Sequence, residues 1–284
     1  MKADLHCHSN FSDGRLSPEE LVREAARCGV TLLSLTDHDT TAGLAQAHEA
    51  CRQDLVLMDG IEISAVSDGV RVDLLGYGSG VLSPEMTKMT AHYRSLKPKR
   101  IRKILQKLAV LGLPVAWDEL EADSYDNLGR PHIARAMVKK GYTQSTAEAF
   151  AHFLAAGEPA YVPREMAAVD ATIRIMRALD VVPVVAHPAQ IALPQDRVFK
   201  AFDAWREAGL LGIECYHPSN DVVSAQRYDR YARDHGLLVT GGSDFHESDP
   251  TDPKHGELGS QCTRWIRQAE DVDRLMRAVN LQNR

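Results

Sequence analysis

The stretch DLHCHSNFSDG, residues 4–14, sets two histidines, two aspartates and a cysteine into eleven positions. Its first half alternates like a strand, so His6 and His8 leave one side while Cys7 leaves the other. Its second half is polar and ends on glycine, as a loop does. The stretch therefore reads as a strand that delivers ligating side chains at its C-terminal end.

Six later segments have the same form: LLSLTDHD (32–39), LVLMDGIEIS (55–64), RVDLLGYG (71–78), VVPVVAHP (181–188), LLGIECYHP (210–218) and LLVTGGSDFH (237–246). Each is an apolar run of strand length ending in polar residues, as expected of strands buried on both faces. Helix-like segments separate them, the clearest at 17–28. There Ser17, Pro18 and Glu20 supply an N-cap, an N1 proline and a capping-box acid ahead of Leu21, Val22, Ala25 and Ala26. Others fall at 41–52, 169–179, 196–208 and 221–235. Such alternation predicts an α/β fold with parallel strand pairing and helices outside, and about seven strands suit a closed or nearly closed barrel. A doubly wound open sheet is the alternative, but no GxGxxG or P-loop opens a helix, and GYGSG (76–80) departs from that pattern at its last position.

The alternation stops between residues 84 and 165, where HYRSLKPKRIRKILQKLAVLGL (92–113), RPHIARAMVKKGY (130–142) and TAEAFAHFLAAG (146–157) read as consecutive helices. We take 1–83 and 166–284 as two parts of one barrel and 84–165 as a helical insertion. A chain of 284 residues is long for one compact domain and short for two, which fits a barrel carrying an insertion.

Composition narrows the function. With 44% hydrophobic and 25% charged residues the chain is an ordinary folded protein, and its net charge of −6 offers no general attraction for nucleic acid or an anionic membrane. Phosphate recognition would have to be local or go through metal ions. The five cysteines, at 7, 28, 51, 215 and 262, are odd in number and form no CxxC pair, which argues against a disulfide framework or a zinc ribbon. Cys215 reads as a buried structural thiol. Without an apolar leader or a long apolar segment, the expected location is the cytoplasm, with no membrane contact and no protein partner.

Every polar group of interest falls at or just after a strand's C-terminal end: His6, His8 and Asp13; Asp37 and His38; Glu62; Asp73; His187; His217; Asp244 and His246. In a parallel barrel those ends share one face, where active sites are built. An isolated HxH carries little weight in a chain with twelve histidines. Seven strands that each deliver His, Asp or Glu at the same end are another matter. Several imidazoles and carboxylates meeting in one place describe a site for more than one divalent cation.

Together DLHCHSNFSDG, LTDHD, GIEIS, AHP, YHP and SDFH resemble the PHP (polymerase and histidinol phosphatase) family, whose fold is a distorted seven-stranded TIM-like barrel with two or three divalent metals. The helical insertion with GRPHIA (129–134) resembles the stand-alone phosphoesterases of that family, among them a 3',5'-nucleotide bisphosphate phosphatase and exonucleases acting on short RNA. The resemblance implies one metal on His6, His8, Glu62 and Asp244, and a second on Asp13, His38 and His246. A third ion in trinuclear members would use Glu62, His187 and a histidine where this chain has Asp73. We therefore expect two ions and leave the third position open. Mixed nitrogen and oxygen ligands favour Mn²⁺, with Zn²⁺, Fe²⁺ or Mg²⁺ as alternatives.

The expected reaction is hydrolysis of a phosphomonoester by a metal-bridging hydroxide, with His217 or His187 as general acid. The other role open to His217 is to orient a ligand. Arg130, His132 and Arg135, at and beyond a Gly-Arg-Pro turn, are the expected donors to a second phosphate, and Ser12 is counted with the substrate-binding residues. The basic run Arg94, Lys97, Lys99, Arg100, Arg102 and Lys103 reads first as a solvated helix face. A nucleoside 3',5'-bisphosphate, losing its 3'-phosphate, meets these requirements. The 5' end of a short RNA is an alternative substrate, and a metal-dependent C–N hydrolase is an alternative activity. Aromatic content of 6% does not suggest a long base-stacking groove.

Overall fold

The computed structural model describes residues 1–120, 128–248 and 255–282. These fall into two compact units, Met1–Thr90 with Met166–Arg284, and Ala91–Glu165.

In the first unit the strands are β1 (Ala3–Cys7), β2 (Leu32–Leu35), β3 (Val56–Ser67), β4 (Val70–Tyr77), the short β5 (Ala167–Ala168), β6 (Val182–Val185), β7 (Gly212–Tyr216) and β8 (Leu238–Gly241). Their order in the sheet is β1-β2-β3-β4-β6-β7-β8, with β5 beside β3. A parallel bridge between Cys7 and Phe245 brings the end of the sheet back to β1. The His8 N–H donates to the Phe245 carbonyl at 2.9 Å and the Asp244 N–H to the His6 carbonyl at 2.8 Å, so the barrel is nearly closed.

The pairing departs from the expected parallel pattern at one strand. β4 is antiparallel to both β3 and β6. The cause is local: Asp68 and Gly69 both have positive φ, 49° and 77°, and form a two-residue turn that sends the chain straight back along β3. An Asp-Gly pair between two β-rich runs is the sequence signal for such a hairpin.

Helices α1 (Pro18–Arg27), α2 (Leu44–Ala50), α6 (Val169–Ala178), α7 (Gln195–Ala208), α8 (Val222–Asp234) and α9 (Gln268–Gln282) belong to this unit. The start of α1 is the expected capping box, with Ser17 Oγ accepting the Glu20 N–H and Glu20 Oε2 accepting the Ser17 N–H. Its buried face, Leu21, Val22 and Ala25, joins a core that includes Leu33 and Ile61 from the strands and Ile173, Met176, Phe202 and Trp205 from α6 and α7. Inside the barrel the Tyr77 hydroxyl donates to the Leu5 carbonyl at 2.9 Å, tying β4 to β1.

The second unit is helical. It takes in most of α3 (Pro84–Val110), then α4 (Arg130–Lys139) and α5 (Thr146–Ala149), which runs on as a π-helical turn over Phe150–Leu154. It has its own core, including Ile101, Ile104, Leu108, Ile133, Met137 and Leu154. Among the described residues no helix is long and apolar enough to cross a membrane.

Candidate metal centre

The ends of β1 and β8, the loops after β2, β6 and β7, and the middle of β3 bring the histidines and carboxylates together; Glu62 and Asp73, expected at strand ends, lie within β3 and β4. His6 lies in β1, and His8 begins a loop that curls back on itself, with the Ser9 carbonyl accepting the N–H of both Ser12 and Gly14. Only glycine fits at position 14, because a Cβ there would lie 2.3 Å from the His8 carbonyl oxygen. Gly242 allows a similar approach after β8, where a Cβ would meet the His6 Cβ at 2.4 Å. Three non-glycine residues here, Asp39, His187 and Asp244, have φ of 55°, 25° and 54°. Strained backbone of this kind collects at functional sites.

Glu62, buried on β3, is the hub. Its Oε2 lies 3.4 Å from His6 Nε2, 3.4 Å from His8 Nε2 and 2.9 Å from His38 Nδ1, while Oε1 lies 3.0 Å from His187 Nε2. Asp244 Oδ1 meets the same two nitrogens, 3.2 Å from His6 Nε2 and 3.0 Å from His8 Nε2. Yet at His6 Nε2, His8 Nε2, His38 Nδ1 and Glu62 Oε2, all buried, none of these close contacts has the geometry of a hydrogen bond. Buried polar atoms are nearly always paired, so four orphans facing one another point to a missing ligand. Four donors about 2.0–2.2 Å from one tetrahedral ion would stand roughly 3.3–3.6 Å apart. The four separations of His6 and His8 from Glu62 and Asp244, 3.0–3.4 Å, are close to this, and the donors fit a divalent ion.

A second group lies beside the first. Asp13 Oδ1 is 3.2 Å from His246 Nε2 and 3.7 Å from His8 Nδ1, and Oδ2 is 3.7 Å from His38 Nε2. His8, Asp13, His38 and His246 could hold one ion between them, and His6, Glu62 and His187 also stand close enough to share one.

Within the cluster the charges hold one another against burial. Burial opposes charge on Glu62 and on Asp244, yet His38 and His6 hold the first, and His6 and His217 the second, well below the carboxylate range. Burial likewise opposes charge on His38, but Glu62 and Asp13 hold its imidazolium up to about 9. His8 goes the other way, to about 4, because burial and the neighbouring His246 outweigh Asp244.

Several expected residues sit behind this array. Ser12 is buried, its hydroxyl 2.6 Å from Asp37 Oδ1 and 3.4 Å from His8 Nδ1. Asp37 also accepts from the Ser9 N–H and hydroxyl, both at 2.7 Å, while burial raises its pKa to about 6. His217 is enclosed, with Nε2 3.2 Å from Asp244 Oδ2 and Nδ1 2.8 Å from the Ser219 hydroxyl. Asp73 pairs with Arg71.

Arg130, His132 and Arg135 belong to the helical unit. The Arg130 Nη1 donates to the Leu154 carbonyl at 2.9 Å, and its guanidinium lies over the rings of Phe150 and Tyr161. His132 Nδ1 accepts the Gly129 N–H at 3.2 Å, and Arg135 is exposed.

Sequence reasoning missed three residues of the site. Glu214 Oε1 is 3.0 Å from His6 Nδ1, and its Oε2 accepts the His187 N–H at 2.7 Å. The signal was an acid inside an apolar strand, GIECY, where a charge has to be paired. Arg71 could have been found from its same-face spacing to Asp73. His255 lines a pocket over the cluster together with Asp13, His38, Asp73 and His246, its ring 4.3 Å from that of His246, with no strand pattern to mark it.

A family profile described as PHP domain matches residues 4–144. A 5'-3' exoribonuclease of Haemophilus influenzae is 34% identical over 86% of this chain and 90% of its own length. A 3',5'-nucleoside bisphosphate phosphatase of Chromobacterium violaceum is 30% identical over 86% of each. Among solved structures, a proposed metal-dependent phosphoesterase of Bifidobacterium adolescentis is 30% identical, with a TM-score of 0.77 over 97% of this chain and 96% of that one.

Proposed function

Because the chain belongs to the PHP family and is a metal-dependent phosphoesterase, we propose that its substrate is a nucleoside 3',5'-bisphosphate, from which it removes the 3'-phosphate. The observation that carries this is the pocket over the histidine and carboxylate cluster. It has a volume of about 580 Å³ and is lined by Asp13, His38, Arg71, Asp73, His187, Gln190, Asp244, His246 and His255 among others. Small-molecule sites run to roughly 300–1,000 Å³, so one nucleotide is the size of ligand it suits. The bisphosphate phosphatase from Chromobacterium supports the same reading.

His6, His8, Glu62 and Asp244, with Asp13, His38 and His246 beside them, would hold divalent ions, which would supply Lewis acidity toward phosphoryl oxygens and lower the pKa of water. The chain's own residues hold that arrangement in place. Glu214 orients His6, Asp37 and Ser12 brace the loop behind His8, and His217 fixes Asp244. Water's oxygen adds to phosphorus, the ester P–O bond breaks, and the leaving alkoxide takes a proton to become the alcohol. Of the two histidines considered for that proton, His187 lines the pocket and His217 is enclosed, so His187 is the one we assign beside the substrate. Arg130, His132 and Arg135 keep their role as donors to the second phosphate on sequence grounds.

The Haemophilus relative favours a second reading, 5'-3' trimming of short RNA. The test is phosphate release from adenosine 3',5'-bisphosphate against shortening of a 5'-phosphorylated oligoribonucleotide, with Mn²⁺, in wild type and Arg130→Ala. Faster turnover of the bisphosphate, slowed by Arg130→Ala, supports the phosphatase. Efficient shortening with little release replaces it by the exonuclease.

A further inference from the structure

Arg71 has no part in either ion group, yet it stands on the wall of the same pocket. It precedes Asp73 by two positions on β4, so both side chains leave one face of the strand. Paired β3 sets Ser64 opposite Asp73 and Val66 opposite Arg71, which puts Glu62 on that face too. The Arg71 Nε is 3.0 Å from Asp73 Oδ1 and 2.9 Å from Oδ2. This contact uses the inner nitrogen of the guanidinium and does not consume the two outer amino groups. The Arg71 side chain is 48% exposed, while that of Asp73 is 7% exposed. The carboxylate is the buried anchor and the guanidinium is the part on offer.

Among the described residues lining this pocket, Arg71 is the only lysine or arginine; the rest are histidines, carboxylates, Gln190, Val72 and Ile191. A phosphomonoester brings three terminal oxygens and close to two negative charges. A diester brings two terminal oxygens and one charge. If bound ions engage two oxygens, the monoester alone has a third to satisfy, and a guanidinium fork is the side chain best shaped for it.

We infer that Arg71, anchored by Asp73, binds the terminal phosphoryl oxygen left over by the ions and thereby selects phosphomonoesters over diesters. This rests on the pocket being the place of phosphoryl hydrolysis, and it assigns Asp73 to holding Arg71 rather than a third ion. Asp73 is a positioning residue, since it acts through the guanidinium. Pre-orienting that group lowers the ordering cost of binding.

The test uses the Mn²⁺-loaded full chain with p-nitrophenyl phosphate as monoester and bis(p-nitrophenyl) phosphate as diester. Wild type, Arg71→Met, Arg71→Lys and Asp73→Asn are compared, with bound manganese measured for each. Arg71→Met is expected to lower kcat/KM for the monoester roughly 10- to 100-fold and to change the diester by no more than about threefold. The Kd for inorganic phosphate should weaken by the same factor as the monoester. Arg71→Lys should retain part of the preference, and Asp73→Asn should raise KM for the monoester with less effect on kcat. Equal losses on both esters, an unmoved monoester-to-diester ratio, or loss of bound manganese in Arg71→Met would each overturn the inference. The nucleotide reading fails separately. A wild type that leaves adenosine 3',5'-bisphosphate intact while its ester ratio still depends on Arg71 removes the nucleotide and keeps the role of Arg71.

Discussion

Glu214→Gln keeps the size of the side chain and takes away one acceptor, and the consequence can be followed atom by atom. In the native site Oε2 accepts the His187 backbone N–H at 2.7 Å and Oε1 meets His6 Nδ1 at 3.0 Å. A backbone N–H can only donate, so the new amide must turn its oxygen to His187 and its NH₂ to His6. His6 Nδ1 then has to accept, which moves the ring proton to Nε2. That nitrogen faces Glu62 Oε2 at 3.4 Å and Asp244 Oδ1 at 3.2 Å, and once protonated it has no lone pair for an ion. Removing the partner that fixes a metal-bound histidine costs roughly 10- to 100-fold in metal affinity, about 1.4–2.7 kcal/mol. Calorimetric titration of Mn²⁺ into metal-free protein reads this directly, with thermal melting of the metal-free form as the control for folding. Wild-type affinity in a variant that melts normally would refute the tautomer argument, and with it the role given to Glu214.

Three further expectations follow from other parts of the molecule. Chelation should abolish phosphoester hydrolysis and Mn²⁺ should restore it; persistent activity in protein verified as metal-free would contradict the reading of the buried cluster. Gly14→Ala drives a Cβ to 2.3 Å from the His8 carbonyl oxygen and so displaces the loop that carries Asp13. A drop in Mn²⁺ affinity of roughly tenfold or more, with unchanged circular dichroism, is the expected outcome, and unaltered binding would show that Asp13 is dispensable. Far from the site, Arg233 holds Asp271 at 2.8 Å and Asp229 at 2.7 Å, and Asp271 also accepts the Trp265 indole N–H at 2.9 Å. Arg233→Met leaves the buried Asp271 carboxylate with the indole alone and should cost about 2–4 kcal/mol in urea unfolding, whereas a loss below about 0.5 kcal/mol would mean the pair is merely surface charge.

The division between what local sequence encodes and what it does not runs through individual residues. Strands were legible because each is an apolar run of fitting length, and α1 because Ser17, Pro18 and Glu20 mark its start whatever it packs against. His6, His8, Asp244 and His246 could be singled out because each stands at or just past a strand end on one face of the barrel, whereas Glu62 and Asp73, expected at strand ends too, lie inside β3 and β4, which run on past them into the Asp68-Gly69 hairpin. The antiparallel direction of β4 is encoded locally as well, in the Asp68-Gly69 turn, but the parallel pattern of the other strands masks so short a signal.

The sequence by itself thus determined the strand and helix alternation outside the β3–β4 hairpin and the helices between residues 84 and 165, because both depend on spacing along the chain. Only the tertiary structure decided which atoms meet. Glu214 and His6 are 208 positions apart, and nothing in either segment names the other as its partner. The same holds for the four buried atoms left without hydrogen bonds around Glu62. Periodicity specifies the face on which a side chain emerges, whereas its partner across the barrel is chosen by strand register and closure, which no single segment contains.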